Sequence, residues 1–269
     1  MSRIITLLTD FGYQDGYVGA MKGVILGINP RAVLVDISHE IEPHDITAGA
    51  LVLADASGWF PSGTIHVAVV DPGVGSQRRP IVVETSRGYY VGPDNGIFSI
   101  VYERETVLRT VALENPRFMA PSVSRTFHGR DIFAPAAAFL SLGVAVDALG
   151  PPVQRGVVMR IPRPRVRGDA VWGEVIHVDR FGNLVTNISE DAFKSFVGGG
   201  DKRIWIGSER VAGLRESYEE GEEDEVFGIF GSSGFLEISM KRRSACSKLG
   251  VGRGASVRVE RSLKGGVES

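Results

Sequence analysis

Thr64-Ile-His-Val-Ala-Val-Val-Asp-Pro-Gly73 is the stretch on which the fold turns. A nearly continuous run of apolar and β-branched residues over 64–70 reads as a strand buried on both faces, and the Asp-Pro-Gly that follows ends it in a tight turn. Upstream, residues 3–8 and 33–37 read as two more buried strands. Amphipathic stretches over 16–28, ending near Asn29-Pro30, and over 47–59 read as the helices between them. Strands separated by helices imply an α/β N-terminal domain whose sheet is largely parallel and covered on both faces. Downstream, 80–84 and 88–91 read as short strands, Pro93-Asp-Asn-Gly96 as a turn, and 131–142 as an Ala-rich helix that starts after His128-Gly-Arg.

The composition shifts after Gly150, where Pro151, Pro152, Pro162 and Pro164 alternate with arginines. The chain therefore divides into an α/β domain over 1–150, a Pro/Arg-rich linker over 151–167 and a second domain over 168–269. In the last, short alternating runs at 170–178, 203–206, 225–230, 235–240 and 255–259, separated by Gly-rich turns, predict a smaller all-β, barrel-like fold. Residues 216–225 hold six glutamates and one aspartate, a pattern expected of a solvated loop. No internal repeat is visible, and the tail after Leu263 is expected to fray.

A 269-residue chain with 43% hydrophobic and 23% charged residues buries a real core. A net charge of -2 without long like-charge blocks offers no footprint for nucleic acid or an anionic membrane surface. Cys246 is the only cysteine, so neither an intrachain disulfide nor a thiolate metal cage is expected, which suits a reducing cytoplasm. The apolar run near the start is shorter than a signal h-region and no segment approaches about 18 continuous apolar residues, so neither secretion nor membrane insertion is expected.

Two acidic loops follow strand ends in the first domain, one with Asp10 and Asp15, the other running from Asp71 to Arg79. Ligands of open α/β sheets bind outside the carboxyl ends of the strands, which favours Asp10 and Asp71. Asp15 reads more simply as a cap of the next helix, and Asp71 also serves to start a Pro-Gly turn. Glycines in the second loop let backbone approach a ligand while Asp71 and Arg78 pair across it. Arg78 stands where a dinucleotide fingerprint needs its third glycine, and there is no Walker sequence.

His66 and His177 fall within strand-like runs and read as packed residues. His39 and His44, beside Glu40, Glu42 and Asp45, tempt a metal reading, but no dedicated zinc spacing is present. His128 precedes a helix whose free N–H groups suit a ligand, although a lone loop histidine usually does nothing. In the second domain, Asp179, Phe181, Asn183 and Asn187 surround one glycine turn: Asp and Asn accept hydrogen bonds from an ammonium and Phe stacks on a flat base, while a plain hairpin explains the same residues. Ser232 and Ser233 lie in a loop that either offers hydroxyls to a carboxylate or is an ordinary turn.

Taken in order, Leu8-Thr-Asp-Phe-Gly12, Ile37-Ser-His39, Pro43-His-Asp45, Val70-Asp-Pro-Gly-Val-Gly75, Gly92-Pro-Asp-Asn-Gly96, Thr126-Phe-His-Gly-Arg-Asp131, Asp179-Arg-Phe-Gly-Asn183 and Ser232-Ser-Gly-Phe-Leu-Glu-Ile238 resemble the S-adenosylmethionine hydroxide adenosyltransferase family, relatives of the fluorinase and chlorinase. The likeness spans nearly the whole chain. It implies hydrolysis of S-adenosylmethionine to adenosine and methionine with water as nucleophile and no metal or other cofactor, in a cytoplasmic homotrimer that binds the nucleoside where neighbouring subunits meet. The catalytic set it implies is Asp71, Arg78 and His128. Asp10, with Asp15 nearby, takes the ribose; Asp179 and Asn183 take the methionine ammonium and Ser232, with Ser233 beside it, the carboxylate; Phe181 and Tyr218 match positions that stack on adenine.

The halide-using relatives have tyrosine where Asp71 stands, the fluorinase has serine at Gly129, and the halogenases carry an insertion where 84–90 is short. Water is therefore the expected nucleophile. Lys241-Arg-Arg-Ser244 departs from a usually Asn- and Gly-containing stretch that helps frame the adenine edge. The alternatives are a non-catalytic sensor of adenosine or S-adenosylmethionine, a chlorinase, and a metal-dependent hydrolase using His39, His44 and Asp10.

Overall fold

The computed structural model describes residues 4–198 and 201–261, so the tail expected to fray lies outside the described residues. These residues form two compact units that divide between Arg160 and Ile161.

The first unit contains β1 (Ile4–Thr9), α1 (Tyr17–Ile28), β2 (Val33–Ser38), α2 (Ile46–Ser57), β3 (Thr64–Val69), β4 (Pro80–Thr85), β5 (Gly88–Pro93), α3 (Ser99–Arg104), β6 (Val107–Ala112) and α4 (Ala134–Ser141). Its sheet runs β2-β1-β3-β5-β4-β6. β1 pairs in parallel with β2 and β3, and β3 with β5, whereas β4 is antiparallel to β5 and β6. Only Ser86 and Arg87 separate β4 from β5. That leaves room for a hairpin and none for the crossover helix a parallel pair needs.

Every residue over 64–70 is buried, as the two-faced reading requires. Ile65, Val67 and Val69 face Met21 and Ile25 of α1 and the alanines of α4. Ala68 and Val70 face the layer that holds Ala48 and Leu53 of α2 and Val101 of α3. Each large aliphatic side chain so buried contributes roughly 1.5–3 kcal/mol before entropy is counted.

Two helix starts differ from expectation. Asp15 is exposed and does not cap α1; the cap is Gly16, one residue later, and it makes no side-chain hydrogen bond. The Ala-rich helix begins earlier, because a π-helical turn over Gly129–Phe133 leads into α4. At α2 the Asp45 carboxylate accepts from the Ala48 N–H at 3.0 Å, a cap that fixes where the helix begins. Residues 151–160 run back along this unit, with the Val153 N–H donating to Thr110 O at 2.8 Å and the Val157 N–H to Asp94 Oδ1 at 2.6 Å.

The second unit contains β7 (Arg165–Arg167), β8 (Ala170–Val178), β9 (Leu184–Ser189), α5 (Glu190–Val197), β10 (Lys202–Ile206), β11 (Glu209–Val211), β12 (Val226–Phe230), β13 (Phe235–Met240), α6 (Ala245–Leu249) and β14 (Ser256–Arg261). Its strands are antiparallel in the order β11-β10-β14-β8-β9-β13-β12, with β7 on β8. Residues 212–215 then nearly close the sheet. The Ala212 N–H donates to Val226 O at 2.9 Å and the Gly228 N–H to Gly213 O at 2.7 Å, joining the two ends into a barrel around Val175, Ile188, Ile204, Leu236, Ile238 and Val257. Among the described residues no helix is long and apolar enough to cross a membrane.

Candidate active site

In the first unit the site begins with strand direction. β1 and β3 are parallel neighbours with Thr9 opposite Val69, so Asp10 and Asp71 emerge side by side at the carboxyl edge of the sheet. The next parallel strand, β5, brings Asn95, whose amide donates to Val70 O at 2.8 Å and fixes the exit of β3. The loop of 71–79 then folds back tightly. Gly75 has φ +76°, and a Cβ there would lie 2.4 Å from Arg125 O, so only glycine lets this loop seat on the segment that carries His128. Gly75 thus serves a contact within the protein.

Three side chains meet there. Arg78 Nε lies 3.0 Å from each Asp71 carboxylate oxygen, Arg78 Nη2 pairs with Asp71 Oδ2, and the same Nη2 lies 2.7 Å from His128 Nδ1. Guanidinium only donates, so His128 Nδ1 accepts and the ring proton sits on Nε2. Burial first, and then the neighbouring Arg78 cation, hold the His128 pKa below its ordinary value, so the imidazole is neutral near pH 7. The Asp71 and Arg78 side chains are 5% and 9% exposed, which removes most of the water that would screen them. Arg78 also lies over the Phe133 ring, and its Nη1 is buried with no partner among the described residues. A buried guanidinium with a donor to spare, one paired carboxylate and one neutral imidazole are together able to orient a small polar molecule.

Asp10 is held from the neighbouring loop. Its Oδ2 accepts the His44 backbone N–H at 2.9 Å, which His44 presents from a left-handed backbone at φ 70°. The His39 ring is 1% exposed, with Nδ1 at 2.8 Å from Thr9 Oγ1 and Nε2 at 3.1 Å from Asp36 Oδ1. Nδ1 is thus engaged by Thr9 and Nε2 faces Asp36 and not Asp10, while His44 meets Asp10 through its backbone N–H, so these three side chains are not gathered into a metal triad. Among the described residues there is no group of three or more His, Cys, Asp or Glu able to hold a metal ion.

In the second unit, the turn between β8 and β9 is the plain hairpin that the sequence left open, and it also builds one wall of a cavity of about 680 Å3. That volume falls within the roughly 300–1,000 Å3 of small-molecule sites. Asp179 Oδ1 accepts the Phe181 and Asn183 N–H groups at 2.9 and 2.8 Å, and Asn183 Nδ2 donates to Asp179 Oδ2 at 2.8 Å. The Asn183 backbone carbonyl accepts the Asp179 N–H at 3.1 Å, which leaves the side-chain Oδ1 of Asn183 outside the bonds of that turn. Gly182, at φ +83°, has Ser244 Oγ 2.1 Å from where a Cβ would stand, which explains a glycine at the bend. Phe181 is 78% exposed at the cavity wall, an aromatic face left open to solvent.

The cavity collects Asp179, Phe181, Asn183, Tyr218 and Ser232, together with Glu237, Met240, Arg242, Arg243 and Ser244. Ser233 does not line it, and Asp15 meets none of the three clustered side chains in the first unit. Glu237 is the residue that the sequence reading passed over. It is 7% exposed and its Oε2 accepts from the Tyr218 hydroxyl at 2.9 Å. Burial, followed by that hydrogen bond, pushes the Tyr218 pKa up, so the phenol stays protonated. The available signal was a carboxylate inside the apolar strand Phe235-Leu-Glu-Ile238.

An α/β unit with a carboxylate, guanidinium and imidazole at its sheet edge, in one chain with a β-barrel that carries an aromatic-walled cavity, defines a class of two-domain small-molecule enzymes. Residues 5–150 match the model of the SAM hydroxide adenosyltransferase N-terminal domain and residues 173–258 that of its C-terminal domain. The chain belongs to the SAM hydroxide adenosyltransferase family. It is 42% identical over 263 residues to an (R)-S-adenosyl-L-methionine hydrolase of Methanocaldococcus jannaschii, covering 92% of each chain. It is 37% identical over 265 residues to a hydrolase of the same name from Thermus thermophilus, covering 96% of this chain and 99% of the relative. The crystal structure of an uncharacterized conserved protein from Thermotoga maritima superposes with a TM-score of 0.90 at 37% identity, covering 96% of this chain and all of that one.

Proposed function

We propose that this chain hydrolyses S-adenosyl-L-methionine to adenosine and L-methionine by in-line attack of an enzyme-held water on ribose C5′. The observation that carries the reading is the Asp71, Arg78 and His128 cluster, in a chain of a family whose curated relatives are named for this hydrolysis.

The substrate is a sulfonium. As the water oxygen bonds to C5′, the C5′–S pair of electrons returns to sulfur and methionine leaves as a neutral thioether, so the leaving group needs no proton. The demand falls on the nucleophile, because water with a pKa of about 15.7 attacks poorly unless it is aimed. Asp71 accepts one hydrogen of that water and the His128 Nε2–H donates to one of its lone pairs, leaving the other to face carbon. Arg78 fixes both partners in place. The proton passes to Asp71 and on to solvent. Holding the water at about 3–3.5 Å in line is worth on the order of 7–11 kcal/mol. This chemistry calls for no metal.

For the substrate we assign the ribose hydroxyls to Asp10 with Asp15 nearby, the methionine ammonium to Asp179 and Asn183, its carboxylate to Ser232 and Ser233, and the adenine faces to Phe181 and Tyr218. The reading includes a cytoplasmic homotrimer with the nucleoside held where neighbouring subunits meet. Sedimentation at a mass three times that of the 29.0 kDa chain supports the trimer, and a monomer contradicts it.

Asp71→Asn tests the catalytic assignment. It keeps the shape and one hydrogen-bonding oxygen but removes the charge that receives the proton. We expect substrate affinity within a few-fold of the unaltered chain and single-turnover hydrolysis slowed by on the order of 100-fold or more. Unchanged hydrolysis removes Asp71 from the reaction.

A further inference from the structure

Two oppositely charged stretches border the cavity: the acidic loop over 216–225, which carries Tyr218, and the basic turn Lys241-Arg-Arg243. The structure joins them. Lys241 Nζ donates to Glu219 O at 2.9 Å and lies 3.1 Å from Glu219 Oε2, Arg242 Nη2 lies 3.1 Å from Glu219 Oε1, and Arg243 pairs with Asp224. Glu219 adjoins Tyr218 in a short helical turn over Tyr218–Glu220. The farther half of the loop is seated on the barrel. A Cβ on Gly221 would lie 2.2 Å from the Phe227 ring, and Arg215 pairs with Glu225 at 2.5 Å. The half that carries Tyr218 is bonded within itself by the Glu216 N–H to Glu220 Oε2 at 2.9 Å, and it is tied to the barrel through Glu219 and the Tyr218 hydroxyl bond to Glu237.

We propose that Glu219, Lys241 and Arg242 are positioning residues for Tyr218: their ion pairs hold its ring at the cavity wall and make nucleoside affinity depend on salt. This rests on the reading of the cavity as the adenine site. A single exposed pair contributes little to stability, but these pairs share one carboxylate and act on one short loop. Glu219 and Arg242 are 66% and 78% exposed, so salt reaches them. Screening shortens from about 8 Å in physiological salt to about 3 Å at 1 M, within the length of the contacts. The basic turn stands where the family resemblance breaks.

The test is calorimetric titration of the full chain with adenosine, and steady-state kinetics, at about 0.05 and 0.5 M potassium chloride. Affinity of the unaltered chain is expected to fall about three- to tenfold between the two. Glu219→Gln is expected to show the weaker affinity at both salts, with KM raised and kcat within about twofold. The reversed set Glu219→Lys with Lys241→Glu and Arg242→Glu regains the affinity and its salt dependence, which a merely structural role of these residues would not produce. Unaltered salt dependence in Glu219→Gln, or a reversed set no tighter than the single variant, overturns the proposal. Failure of the unaltered chain to bind adenosine at either salt overturns the cavity reading and this role with it.

Discussion

The proton on His128 governs what the cluster with Asp71 and Arg78 can do. Nδ1 accepts from Arg78 Nη2 at 2.7 Å, so protonating that nitrogen turns a hydrogen bond into a contact between two cations. The fold already resists this, since burial and Arg78 set the His128 pKa below 6.5. Activity is therefore expected to be full above the ordinary histidine range and to fall as pH drops through the lowered pKa. A kcat/KM profile checks this, with His128→Gln lacking that limb; a limb rising toward acid contradicts the neutral assignment. At this scale the sequence told unevenly. The pairing of Asp71 with Arg78 was legible in one nine-residue loop. His128, 50 positions from Arg78, joined them only through the family resemblance, because no local pattern marks a contact made through the fold. Glu237 went unassigned because burial and a tyrosine partner, which give it meaning, are tertiary facts.

At the scale of elements, the strand over 64–70 was readable because burial on both faces leaves a plain signature. Its one ionisable side chain is His66, 3% exposed, which shares a 2.8 Å hydrogen bond with Thr6 and stacks on Tyr90 at 4.9 Å. Burial, and then Arg87, lower its pKa to about 4. Between about 6.5 and 4 the unfolded chain binds a proton that the folded chain refuses, so this residue's contribution is complete above 6.5 and lost as pH falls through that window. The loss is on the order of 3 kcal/mol. Denaturant unfolding at pH 7 and 4.5 measures it: the difference between the two should shrink in His66→Gln, and parallel curves for the variant and the unaltered chain refute it. Other elements were hidden for physical reasons. α5 begins with Ser189 accepting the Ala192 N–H and carries a Glu190 to Lys194 pair at 2.7 Å, both local signals that the surrounding strand pattern outweighed. β6 begins with three exposed residues, so its alternation lacks the contrast by which strands are read. The π-helical start of α4 leaves no mark in composition.

At the scale of the whole chain, the division into an α/β half and a β half was legible from the change in period, and the near-closure of the barrel through residues 212–215 was not. That closure depends on backbone groups on either side of the acidic loop pairing in parallel outside the regular strands, which side-chain patterning does not record. The two halves carry different parts of one proposed reaction: an aimed water on the first, recognition of an aromatic and zwitterionic ligand on the second. The measurement that tests this most directly is incubation of the full chain with S-adenosylmethionine and excess chelator in 18O-labelled water, with adenosine and methionine followed by mass spectrometry. The account predicts one labelled oxygen in the adenosine, released with an equal amount of unlabelled methionine and unaffected by the chelator. Bound ligand without adenosine, adenosine lacking the label, or loss of turnover on chelation would contradict it.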